Sequence, residues 1–184
     1  TGKIWVQVPR TLCMHWSGRL SAGVSAKDMM LHMIGRFGMN GGQYQAVEFA
    51  GEAIMALSMP ERMTLSNMSA EMGAQAGLIA ADETTVAHLR QCGVSEERLQ
   101  DALQWRGDAG AEQERHDFDA GNLSPQVAAP HSPANVHPVG DMAEVVPTIA
   151  YIGACTGAKL EDLRAAASVL RGHKVASGVQ LIVA

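Results

Sequence analysis

Between Leu123 and Val139 the chain carries four prolines, Pro125, Pro130, Pro133 and Pro138. Each proline fixes φ, lacks an N–H and biases the residue before it away from helix, so this stretch must run extended and irregular. It is the natural boundary of the 184-residue chain. Residues 1–122 are expected to form one α/β domain, and residues 123–184 a linker followed by a strand–helix–strand unit. After the prolines come a β-rich run over Thr148–Gly153, an amphipathic helix from Lys159 or Leu160 to Arg171, and a strand at Val179–Val183. Strand–helix–strand order predicts a parallel pair with a right-handed crossover.

Upstream, Lys3–Val8 alternates and is β-rich, which predicts a strand ended by Pro9; residues 11–20 carry no clear signal. Ser25 through Asp28 opens a helix whose apolar positions Met29, Met30, Met33, Ile34 and Phe37 share one face, stopped at Gly38. Gly41-Gly42 reads as a turn and Ala46–Ala50 as a short strand. Ser58-Met-Pro-Glu61 combines an N-cap serine, a first-turn proline and a glutamate three residues on, so a helix should run to Glu71 or Met72 with Gly73 beyond. Asp82 caps a helix to about Cys92, Ser95 one ending near Arg106, and Glu114–Asp119 is a strand.

Charge excludes some partners. The net charge of −5 is uneven: +3 over residues 1–50, −8 over 51–140 and zero beyond. With no basic stripe and few base-stacking aromatics, nucleic acid is not an expected partner. No run of 18 apolar residues is present, so no membrane partner is expected. Three cysteines far apart, Cys13, Cys92 and Cys155, argue against a disulfide framework and for a reducing, cytoplasmic setting. Eleven methionines read as core filling.

Two constellations could carry chemistry. Cys155 lies on the turn between the predicted strand and helix, where helix N-termini and loop amides gather ligands and favour thiolate; a small buried hydrophobe is the equal alternative. Asn67 and Glu71 are spaced i, i+4 on the helix capped by Ser58, so amide and carboxylate lie side by side and could hold a hydroxyl and move its proton. From spacing alone a solvent-facing pair is the simpler reading. Glu48 inside an apolar strand, and His131 and His137 around Pro133, are weaker candidates.

Taken together, Gly23–Asp28, Ala46–Gly51, Glu61–Gly73, Ala81–Thr84, Pro125–Pro133, Ile152–Thr156 and Leu160–Leu163 resemble the aconitase superfamily, nearest its isopropylmalate dehydratase large-subunit branch. The resemblance covers essentially the whole chain. It implies an aconitase-like three-layer α/β domain plus the opening βαβ unit of a second α/β domain. It also implies a hydro-lyase, a dehydratase or isomerase, acting on a small hydroxy-dicarboxylic acid such as 3-isopropylmalate with a separate small subunit. The family's cofactor is a [4Fe–4S] cluster held by three cysteines, its open iron acting as a Lewis acid.

By motif, Cys155 resembles the first cluster cysteine, and Asn67 and Glu71 the amide and carboxylate beside it. Ala154 and Gly157 replace a serine and an asparagine usual around that cysteine; the loss of both hydrogen-bonding side chains points to a divergent branch. The family's other cluster cysteines have no counterpart here, which implies an internal fragment, inactive and cluster-free by itself. The alternative is a cluster-free interaction or regulatory module without catalytic activity.

Overall fold

Leu12, Met14 and Trp16 alternate with Cys13, His15 and Ser17, and this period-two pattern makes Thr11–Ser17 a strand, β1, with one face in the core. The computed structural model of the protein describes residues 2–108, 110, 111 and 114–184, and of Cys155 only the backbone. It divides into two compact units, Thr1–Pro138 and Val139–Ala184.

In the first unit β1 is followed by α1 (Ala26–Phe37), β2 (Ala46–Ala50), α2 (Glu52–Met55) and α3 (Met59–Met68). A 3-10 turn, Ser69–Met72, leads into β3 (Ala76–Ile79), α4 (Glu83–Gln91), α5 (Glu96–Ala102) and β4 (Glu114–Asp119). The four strands form one parallel sheet in the order β3-β2-β1-β4. Leu12 faces Val47, and Trp16 faces Phe118, so apolar side chains line up across the sheet. Against that face pack Met29, Met30, Met33 and Ile34 of α1 and Leu65 and Met68 of α3, all buried. The segment after α5 lies over the opposite face, where a Cβ at Gly107 would stand 3.2 Å from Glu48 Oε2. The result is the expected α/β fold, a parallel sheet packed against helices.

The helix starts follow their caps. Asp28 accepts hydrogen bonds from the Ser25 N–H and hydroxyl at 2.7 and 2.8 Å, and Glu61 does the same for Ser58 at 3.0 and 2.8 Å. Asp82 accepts from the Thr85 N–H at 3.1 Å.

Several expectations are corrected. The first strand is Thr11–Ser17, not Lys3–Val8, because Thr11–Ser17 alone has a strand on each side. Residues 3–8 belong to no strand, and Ile4 and Trp5 are 89% and 90% exposed. β3 was not legible as a strand, and α5 ends at Ala102, short of Arg106. The proline stretch contains a small antiparallel hairpin, β5 (Gln126–Ala128) with β6 (Val136–Pro138), packed on α1. Its first residue is fastened by a hydrogen bond from the Gln126 N–H to Asp28 Oδ1 at 2.7 Å. Residues 123–138 therefore pack with the first unit, which runs to Pro138.

The second unit holds β7 (Ile149–Ile152), α6 (Ala154–Gly157), α7 (Leu160–Leu170) and β8 (Gln180–Val183). β7 and β8 pair in parallel, Ile149 facing Gln180 and Ile152 facing Val183, as the strand–helix–strand order predicts.

Candidate active site

Glu71 sits where α3 tightens into the 3-10 turn Ser69–Met72, which Gly73 ends in the left-handed conformation. Asn67 occupies the last turn of α3 and is exposed. The two are thus on consecutive turns of one continuous helical segment at the amino end of β3. Glu71 is half-buried, and its Oε2 is enclosed with no hydrogen-bond partner among the described residues. A buried carboxylate oxygen without a donor is costly, which makes this an unusual place for a purely structural glutamate. The fully buried Met72 beside it anchors the turn in the core.

The segment is held from behind by a residue whose part the sequence did not announce. Arg62 is 2% exposed, and its guanidinium reaches Asp82 through both arms, Nη1 to Oδ1 at 2.6 Å and Nη2 to Oδ2 at 2.7 Å. Its Nε donates to Leu57 O at 3.1 Å and Nη2 to Met55 O at 2.9 Å. One side chain therefore ties the ends of α2, α3 and α4 together. The Arg62 hydrogen bonds hold the Asp82 carboxyl below the usual carboxylate range, against the opposing effect of burial. The available signal was an arginine within an otherwise buried helix face, twenty residues before an N-cap aspartate.

Of the other candidates, Glu48 is half-buried on the sheet face opposite the core. Cys155 lies in α6, directly after β7, and its side chain falls outside the described structure. It belongs to the second unit, Asn67 and Glu71 to the first. Among the described residues no group of three or more His, Cys, Asp or Glu side chains is placed to hold a metal ion. The described residues do not themselves form a cluster-ligand set.

A parallel α/β domain with a polar pair on a helix end beside the sheet defines a class shared by many enzymes. Sequence comparison narrows it: the profile of the Aconitase family (aconitate hydratase) matches residues 1–147. The chain belongs to the aconitase family, whose members generally carry a [4Fe–4S] cluster. It is 42% identical over 185 residues to the 3-isopropylmalate dehydratase large subunit of Moorella thermoacetica, covering 100% of this chain and 42% of that protein. It is 44% identical over 183 residues to the large subunit of the same name from Nitratidesulfovibrio vulgaris, covering 99% and 42%. With the probable methanogen homoaconitase large subunit of Methanosarcina mazei it shares 44% identity over 175 residues, covering 95% and 44%. The chain thus spans less than half the length of these relatives. No helix among the described residues is long and apolar enough to cross a membrane.

Proposed function

We propose that this chain forms part of a hydro-lyase that removes and re-adds water on a small hydroxy-dicarboxylic acid such as 3-isopropylmalate, with Glu71 and Asn67 in its site. The observation that carries the reading is the enclosed, partnerless Oε2 of Glu71. Family membership and the names of the relatives support the reaction class.

In such a dehydration a base takes a carbon-bound proton, the neighbouring C–O bond breaks as the C=C bond forms, and the hydroxyl leaves as water once protonated. Glu71 suits the last of these tasks. Its carboxyl can pass a proton to the departing hydroxyl. On re-addition the same carboxyl takes a proton back from water. Asn67, one turn earlier, offers an amide N–H to a substrate or water oxygen and an amide carbonyl to a hydroxyl. The Arg62–Asp82 pair touches neither substrate nor reacting atoms; it fixes the helix on which both side chains stand.

Cys155 is the residue we assign to the family's iron–sulfur cluster, as one of its thiolates. The remaining ligands would come from sequence outside this chain, which by itself is then inactive. A separate small subunit is the expected partner, since the relatives are named large subunits, and the cytoplasm the expected setting.

The test is an assay of the full-length protein containing this chain, with its small subunit, against isopropylmalate, citramalate, dimethylmalate and citrate. Glu71→Gln should lower kcat by about 100-fold or more, with a smaller loss for Asn67→Ala. Unchanged kcat in Glu71→Gln would remove this residue from the chemistry. For the 184-residue chain alone, stoichiometric iron and sulfide after anaerobic reconstitution would overturn the assignment of a shared ligand set.

A further inference from the structure

The turn bearing Glu71 is pressed against backbone on two sides, and glycine makes both approaches possible. Beneath it runs β3: a Cβ at Gly77 would run into Ser69 Oγ and stand 2.9 Å from Ser66 Cα. Beside it runs the loop between α1 and β2. A Cβ at Gly42 would come within 2.8 Å of Ala74 N and 2.9 Å of Ala74 Cα. Real Cβ atoms do not approach backbone so closely, so a side chain at either position must displace the turn.

The contact is also bonded. The Gly42 N–H donates to Met72 O at 2.7 Å, the Tyr44 N–H to Gly73 O at 3.0 Å, and the Gln75 N–H to Gln45 O at 2.9 Å. Gly73 itself has φ +74°, and a Cβ there would meet Met39 O at 2.9 Å. Ser69, the residue over Gly77, is buried and donates its hydroxyl back to Leu65 O at 2.9 Å, so it has little room to yield. Glu71 lies between the Ser69 contact and the Met72 bond, with an unbranched path of two residues to the first and one to the second.

We infer that Gly42 and Gly77 are positioning residues for Glu71: they set how deeply its carboxyl is seated by allowing backbone to close on its turn from both sides. The inference rests on the reading of Glu71 given above. Catalytic groups lose rate steeply with misplacement, on the order of 100-fold for about 1 Å. An added methyl at either glycine therefore costs rate through geometry while leaving every polar group in place.

The experiment is a double-mutant cycle in the full-length protein with its small subunit. Gly42→Ala and Gly77→Ala should each lower kcat by about 10- to 100-fold with KM nearly unchanged. In a Glu71→Gln background the same substitutions should cost almost nothing further, because the group they misplace is already gone. Gly140→Ala, where a Cβ meets nothing within 4 Å, serves as the control and should leave kcat unchanged. In the same full-length protein, Gly77→Ala should speed hydrogen exchange of the Tyr44 amide and leave the Gln126 amide, bonded to Asp28, as it was.

The outcomes separate the two claims. If Glu71→Gln keeps full activity, the reading of the site fails and this inference goes with it. If Glu71→Gln loses activity but the glycine variants cost as much in its background as alone, the glycines act on overall stability and the inference alone is overturned. It is likewise overturned if the alanine variants keep wild-type kcat, or if neither folds.

Discussion

Both units contain parallel strands joined through helix, β1–α1–β2 in the first and β7–α6–α7–β8 in the second. In the first, α1 buries Met29, Met30, Met33 and Ile34 against a four-stranded sheet. In the second, no described side chain is buried; Ile149, Tyr151, Leu160 and Val169 all remain exposed. The local patterns are equally good, since α7 has its own acidic first turn and a clear apolar face. What differs is how much sheet and helix there is to pack. Two strands and the two helices between them offer too little apolar surface to enclose any residue, whereas a four-stranded sheet packed against α1 and α3 does. Pattern decides which element forms, and neighbours decide whether it is buried.

The strongest test of this contrast is Arg62→Ala. It strands Asp82 and two carbonyls in a poorly solvated place, and should cost the first unit about 3–5 kcal/mol in urea unfolding. A loss below about 1 kcal/mol would make the clamp no better than a surface ion pair. Next, Ile34→Ala should cost about 2–5 kcal/mol, while Val169→Ala, 75% exposed in the second unit, should change stability by no more than about 0.5 kcal/mol. Comparable losses at both positions would erase the difference between the units.

The smallest expected effect is in acid. The folded-state pKa of Asp82 lies below its ordinary value of 3.8, so the folded form resists protonation more than the unfolded one does. Its contribution is therefore complete above the ordinary value and fades as pH falls from there through the lowered one. Asp82→Asn should flatten that part of the acid-unfolding curve for the first unit; an unchanged curve would show that other carboxylates govern it.

Much of this was legible where the cause is local. Ser25, Ser58 and Asp82 announce their helices because a cap is satisfied within four residues, and Gly73 marks the end of its turn for the same reason. The first strand lies at Thr11–Ser17, where the sequence carries no clear signal, and not at the β-rich Lys3–Val8, because pairing with residues 46–50 and 114–119 decides it and no window of local sequence contains those partners. β3 is only four residues long and includes Gly77, so it gives little β signal. At the site, the i, i+4 spacing of Asn67 and Glu71 could be read directly. The enclosure of Glu71 Oε2 could not, because it depends on how closely the turn is packed. Arg62 was visible as an arginine in a helix, but its reach to Asp82 and two carbonyls exists only once three helices have met.

The placing of β1 in the middle of the sheet also sets a timetable for synthesis. Its last neighbour is distant: the Ser17 hydroxyl donates to Phe118 O across 101 residues. At about 5–20 residues per second on the ribosome, roughly 5–20 s separate the emergence of one partner from that of the other. Throughout that interval Trp16 lacks the Phe118 ring it stacks on, at 4.5 Å between centroids, and one edge of β1 stays open. Of the sheet's four described strands, the first to leave the ribosome is thus the last to be enclosed, and the nascent chain must keep it from other strands until residue 119 arrives.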